Sequence, residues 1–286
     1  MGHLNSTSNS QHIQISLSKL RSIISTLYHS CAPVEVKERK NVHLCKVSDV
    51  TILTIAVYQV LYFQTSQRRF LSYFDKHFPV KHLERSRFNR RLNNLVTVMK
   101  YIEQELKLKS GTPDFTIIDS FPMPLCNPVR RYTCKVLEGI ADQGYNATKR
   151  TWFYGLKVHM LVSDSGFIEN YSVTKASVHD STAIWDVIDQ SSCPIILADM
   201  GYLGKELHDE LENYHYHLWT PLRKNMIGVW ENNRPELMVM RKSIETVFSQ
   251  LCSYYDIEHP LARTTKGINV AIELAVFAHN LSILIN

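Results

Sequence analysis

Apolar residues recur at three- and four-residue intervals through the first third of the chain, and the spacing predicts helices almost throughout residues 15–104. Leu17, Leu20, Ile23, Ile24 and Leu27 share one helix face. Ser48 or Asp49 is placed to cap a helix over Val50–Phe63. Arg85–Glu105 reads as one more helix, with Phe88, Leu92, Leu95 and Met99 on one side. The polar, Gly- and Pro-containing stretch 107–114 reads as a linker. Beyond it the period changes. Phe115–Asp119 is short, apolar and β-branched, and Thr151–Ser163 with Gly166–Lys175 reads as a hairpin. Helix over His179–Gln190, strand over Pro194–Ala198, helix over Gly204–Asn213 and strand over Tyr216–Thr220 follow. Two long helices, Met238–Tyr255 and Gly267–Leu284, close the chain. Between Ser120 and Arg150 lie about thirty residues with little pattern.

This order, β-β-β-α-β-α-β-α, is that of an α/β domain: a ribonuclease-H-like mixed five-stranded sheet with flanking helices, preceded by an all-helical N-terminal domain. The expected division is a disordered polar tail over 1–14, a helical unit over 15–110 and a catalytic unit over 111–286. Right-handed crossovers favour placing the fourth strand beside the first.

Charge sharpens the division. Residues 1–110 hold 17 Lys and Arg against 7 Asp and Glu, and residues 111–286 hold 15 against 20. A basic first third joined to an acidic remainder suggests a polyanion-binding module coupled to a metal-binding one; chance surface composition is the plain alternative. The six cysteines form no C-x-x-C pair and read as reduced, mostly buried thiols in a reducing compartment. The apolar stretches Val50–Phe63 and Ile268–Ile285 are interrupted by Gln59 and by Glu273, His279 and Asn280, so neither is expected to span a membrane. No secretory signal is visible in the polar N-terminus.

Three acidic residues carry the candidate chemistry. Asp119 ends the first strand, Asp199 ends the fourth and Glu245 lies on the helix over Met238–Tyr255. Two carboxylates at neighbouring strand ends and a third on a covering helix suit a pair of hard divalent cations acting on phosphodiesters. Singly, Asp119 and Asp199 also read as turn residues, and Glu245 with Arg241 and Lys242 reads as a surface ion pair. Lys157 and His159 alternate on one strand face, either near a scissile phosphate or as a polar pair on a solvated face. Asp180, at a helix start, reads as an N-cap. Arg85, Arg87, Arg90 and Arg91 crowd one short stretch, and Arg130 and Arg131 lie in the long loop; both groups are candidates for phosphate contact.

Five segments in this order, Ile117–Pro122, Tyr154–His159, Leu197–Tyr202, Thr220–Asn225 and Arg241-x3-Glu245, resemble the DDE transposases of bacterial insertion sequences. The likeness is to the superfamily with a Y-x2-R-x3-E-x6-K signature around its catalytic glutamate. Met238 stands at the signature's Tyr position and Cys252 at its Lys position. Roughly 24 residues separate the fifth strand from Glu245, which leaves no room for a large inserted domain.

The resemblance implies a DNA transposase with Asp119, Asp199 and Glu245 catalytic and holding two Mg2+ ions, with Mn2+ able to substitute. It implies duplex DNA partners, both terminal inverted repeats and target, contacted through the arginines above, Lys157, Arg241 and Lys242. A homodimer or higher oligomer on DNA, in a bacterial cytoplasm at the nucleoid, is implied likewise. The rival readings are a ribonuclease-H-like nuclease that never joins strands, and a catalytically inactive DNA-binding descendant.

Overall fold

The computed structural model describes residues 15–147, 149–189 and 191–285; the expected tail over 1–14 lies outside the described residues. Six helices come first: α1 (Leu17–Cys31), α2 (Val34–Lys37), α3 (Asp49–Tyr62), α4 (Gln67–His77), α5 (Arg85–Asn93) and α6 (Val96–Ser110). Then follow β1 (Thr116–Pro124), β2 (Asp142–Asn146), β3 (Thr151–Ser163), β4 (Ile168–Lys175), α7 (Asp180–Ala183), α8 (Trp185–Ile188), β5 (Ile195–Leu197), α9 (Lys205–Asn213), β6 (His217–Trp219), α10 (Val229–Asn232), α11 (Pro235–Tyr255) and α12 (Thr265–Ile285).

Local chemistry fixes many of the boundaries. The Ser16, Ser48 and Ser66 hydroxyls cap α1, α3 and α4 by accepting from backbone N–H groups of the first turn. Gly111, at φ +85°, ends α6 with a backbone that other residues rarely adopt, so the linker is shorter than the sequence suggests. The single helix expected over Arg85–Glu105 is two. Asn93 and Asn94 are weak helix formers, and Asn94 and Leu95 N–H turn back to Arg91 and Leu92 carbonyls. The break lets Phe88 and Leu92 of α5 and Val98, Met99 and Ile102 of α6 enter the same core.

The sheet runs β2-β3-β1-β5-β6, with β4 also paired to β3. β1 lies antiparallel to β3 and parallel to β5, and β5 is parallel to β6. This is the expected ribonuclease-H-like arrangement with the fourth predicted strand beside the first. The sixth strand, β2, lies in the stretch that showed no pattern. Asp142-Gln143-Gly144-Tyr145-Asn146 has no apolar alternation, and Gly144 is needed because a Cβ there would lie 2.7 Å from the Ala176 carbonyl oxygen. β3 is long enough to be paired along one edge twice, by β2 over 151–155 and by β4 over 156–162. The helix expected over His179–Gln190 is irregular instead. α7 and α8 are four-residue pieces with Ile184 at helical angles between them.

Alternate side chains of β1 enter different layers. Ile117, Phe121 and Met123 pack with α11 and one face of α12. Ile118 packs on the other face with α8, β6 and Leu211 of α9. The opposite face of α12 completes the core of the N-terminal helices through Val270, Leu274, Phe277 and Leu281. α12 is long and apolar enough to cross a membrane by composition, yet its middle is buried between these two cores. Its Asn280 side chain bonds both N–H and C=O of Ile168, and His279 meets the Gly166 carbonyl, so α12 also pins the β3–β4 hairpin. All six cysteines are free; only Cys193 is buried and the other five are half-buried, a wetter set than expected.

One buried charge network organises the N-terminal helices. Asp49 is 4% exposed and accepts from Arg39, Arg91 and the Tyr28 hydroxyl. Burial alone would raise its pKa, but the Arg39 and Arg91 hydrogen bonds outweigh it and hold the carboxyl below its ordinary value. A depressed folded pKa stabilises above the unfolded value and is lost as pH falls through the folded one. Asp49→Asn is therefore expected to lower stability by about 3 kcal/mol near neutral pH and to flatten acid denaturation below about pH 4, which urea titrations at several pH values read directly.

Candidate active site

β1 and β5 pair in parallel with Ile117 opposite Leu197. Two residues on, the same register would set Asp119 opposite Asp199. The strands no longer pair there. Ala198 N–H instead turns to the Trp219 carbonyl of β6, and the Asp199 carboxylate caps a single helical turn by accepting from Gly201 N–H at 2.7 Å. β1 continues along β3 to Pro124, so Asp119 lies within the strand and does not end it as expected, while β5 stops at Leu197; the two strands part at the level of the carboxylates and leave a crevice beside them.

Asp119 is pushed up to about 7, first by burial and then by the charge of Asp199. Asp199 is raised as well, by burial and by Asp180, while Gly201 N–H, Arg241 and Lys157 favour its ionised form. The Asp199 charge opposes ionisation of Asp119. Carboxylates that oppose each other's ionisation are a donor set that a hard divalent cation relieves, so this pair fits such an ion.

Glu245 is placed differently. α11 lies over the Asp119 face of the sheet, anchored by Ile244, Val247 and Leu251. The Arg241 guanidinium lies 3.6 Å from Asp119 Oδ2 and donates to Glu245 Oε1 at 2.8 Å. Arg241 is nearly buried at 13% side-chain exposure, whereas the Glu245 side chain is 59% exposed. Arg241 therefore links the two carboxylates. Among the described residues no three His, Cys, Asp or Glu side chains are gathered closely enough to hold a metal.

The opposite sheet face carries a second group. Ser120 faces His159 across the β1–β3 pairing, and Lys157 lies two positions along. All three point at Asp180. Its Oδ1 accepts from Ser120 Oγ at 2.8 Å and Lys157 Nζ at 3.2 Å, with His159 Nδ1 at 3.6 Å. This face is not solvated. His159 is fully buried, and burial pulls it down to about 4, so it is neutral. Thr174 donates its hydroxyl proton to the Lys175 carbonyl and so accepts from His159 Nε2 at 2.9 Å, which leaves Nδ1 without a hydrogen-bond partner. The expected N-cap role of Asp180 is filled by its neighbour, since the His179 side chain accepts from Ser181 N–H. The sequence signal that could have marked Asp180 was its position behind a strand whose Lys157 and His159 alternate toward one face.

Gly201 separates the two groups. A Cβ there would lie 2.8 Å from Asp199 Oδ1 and 3.3 Å from Asp180 Oδ2. Beneath them the fully buried Tyr202 hydroxyl has no partner, and burial with the charges of Asp180, Asp119 and Asp199 raises it well above its ordinary value. Gly201→Ala is expected to displace the Asp199 carboxylate and to weaken Mn2+ binding at least tenfold, measured by calorimetric titration, with the thermal midpoint little changed.

The candidate cations for DNA scatter over several elements. Arg85, Arg87 and Arg90 are exposed on α5, whereas Arg91 turns inward to Asp49 and Cys45. Arg130 is exposed beyond β1, and Arg131 stacks 4.3 Å over the Tyr132 ring. Lys242 is exposed on α11 beside Arg241. The connection from β6 to α11 is short and tied down. Asn232 and Asn233 bond Thr220 and Leu222 backbone, and the Trp219 indole donates to the Asn232 carbonyl.

Residues 109–265 match the family model described as the transposase DDE domain. No curated protein matches the chain. Solved structures that are distantly similar include two transposase complexes. One is the piggyBac transposase synaptic complex with hairpin DNA, at 14% identity over 93% of this chain and 75% of that one, with a TM-score of 0.43. The other is the Mos1 transposase paired-end complex with left transposon end, at 9% identity over 96% and 79%, with a TM-score of 0.25.

Proposed function

This chain belongs to the transposase DDE domain family, and from that premise we propose that it cuts DNA at the terminal inverted repeats of a mobile element and joins the freed ends to target DNA. The observation that supports this most is the Asp119–Asp199 pair, facing across a crevice where β5 leaves β1, with each carboxyl raised. Asp119 and Asp199 would hold the divalent cations, two Mg2+ or Mn2+ in their place. When bound, such ions make the attacking oxygen a stronger nucleophile and stabilise the leaving one in an in-line displacement.

The chain's own residues supply the rest. Glu245 reaches the pair by giving up Arg241, which its exposure allows. Arg241, released, is left beside Asp119 as a cation for phosphate. Lys157 acts on Asp199 from the opposite sheet face, and Lys242, Arg130 and Arg131 are further cations for phosphate. Arg85, Arg87 and Arg90 hold duplex farther out through phosphate contact. Water attacks in the cutting step and the freed 3′-hydroxyl in the joining step; neither needs a covalent enzyme intermediate. Two copies of the chain pair two DNA ends.

The test uses purified full-length chain, Mg2+, and a plasmid carrying the reading frame with its flanking DNA, together with an unrelated target plasmid. Expected products are breaks at matching inverted repeats and covalent joints to the target. Breaks without joints would leave a nuclease, and duplex binding with neither would leave a DNA-binding descendant.

A further inference from the structure

Asp180 is outside the three-carboxylate pattern, and its surroundings give it a definite task. Its two oxygens are used differently. Oδ1 is occupied by Ser120 and Lys157, whereas Oδ2 faces Asp199 across Gly201, the one side-chain-free position between them. Ser120 directly follows Asp119, so Asp180 also ties down the part of β1 that carries Asp119. The Lys157 ammonium has three N–H donors. One bonds the Val178 carbonyl at 2.9 Å and one bonds Asp180. Val178 lies in the turn between β4 and α7 and Asp180 is the first residue of α7, and the Lys157 side chain is 19% exposed. Lys157 is thereby fixed within electrostatic reach of Asp199, one donor remaining. Two buried polar atoms without partners, His159 Nδ1 and the Tyr202 hydroxyl, belong to the same group and mark it as built for polar occupancy.

Resting on the transposase reading above, we propose that Asp180 is a positioning residue: it holds Lys157 so that the ammonium's remaining donor meets a phosphate oxygen of DNA entering the Asp119–Asp199 crevice. A lysine chain released from Asp180 and Val178 would sample many rotamers, and loss of alignment of that order costs about a hundredfold in rate.

The experiment measures single-turnover cleavage, DNA affinity and calorimetric Mn2+ binding on the full chain. Asp180→Asn is expected to lower the cleavage rate constant about a hundredfold, to change DNA affinity less than about threefold and to reduce Mn2+ affinity less than tenfold. Asp119→Asn abolishes Mn2+ binding. Lys157→Met gives a similar rate loss, and the double variant Asp180→Asn with Lys157→Met is no slower than Lys157→Met alone, because both changes break one unit. Asp180→Glu recovers part of the rate. An unchanged rate in Asp180→Asn, multiplying losses in the double variant, or a Mn2+ loss beyond tenfold would each overturn the positioning role. If Asp180→Asn does not fold, Lys157→Arg replaces it, and an unaltered rate there overturns the proposal. A wild-type chain no more active than Asp119→Asn removes the transposase reading and this proposal with it; an active wild type with a normal Asp180→Asn removes the proposal alone.

Discussion

Asp119→Asn and Asp199→Asn are expected to lower DNA cleavage and joining by about a thousandfold or more, since cation-mediated charge stabilisation contributes several kcal/mol to such displacements. The accompanying result is less usual: thermal stability should hold or rise. Asp119 is half-buried beside Asp199 and is raised to about 7, so its ionised form works against the fold. Asn keeps the shape and the contact with Arg241's end of the crevice while removing the like charge. Activity loss with an unchanged or higher thermal midpoint is the signature of a group retained for function at a cost in stability. Glu245→Gln tests the third carboxylate separately. Exposed and bound to Arg241, it should leave stability unchanged, and cleavage should fall to the level of the two aspartate variants. Wild-type cleavage in any of the three would remove that residue from the catalytic set.

Replacing Arg85, Arg87 and Arg90 together by Gln should weaken duplex binding most at low salt and flatten the dependence of log affinity on log salt by up to about 0.9 for each phosphate no longer neutralised. The effect should be alike on random duplex and on DNA flanking the reading frame, because phosphate contacts carry no sequence information. Arg91→Gln is the informative contrast. Arg91 is turned to buried Asp49, so this change should lower the unfolding midpoint while leaving the salt slope near wild type. A steeper loss of DNA affinity in Arg91→Gln than in the triple variant would move the DNA-facing surface of α5 to its other side. Binding is best measured on the full chain, because the N-terminal helices share their core with α12.

Much of the architecture was legible in the chain. The serine cap at 48, the helical periods of α1, α11 and α12, and the short β-branched runs of β1 and β5 depend on residues within a few positions of one another, so local pattern suffices to read them. The parallel pairing of β1 with β5 followed from connection rules, and it brings Asp119 and Asp199 to one crevice. Other features have their cause far away in sequence. β2 exists because Gly144 lets it approach Ala176, and nothing in residues 142–146 announces that contact. Arg91 reads as one of four similar arginines until α3 brings Asp49 under it. Asp180 reads as a cap until the β1–β3 register turns Ser120, Lys157 and His159 toward it. The sequence by itself determined which elements form, because periodicity, capping and chain connection are short-range, but not where β1 stops: pairing with β3 carries it on to Pro124, so Asp119 lies within the strand and does not end it. Tertiary structure alone decided which charges neutralise one another, because a carboxylate's partner is set by which strand or helix arrives beside it and by how much water that arrival excludes.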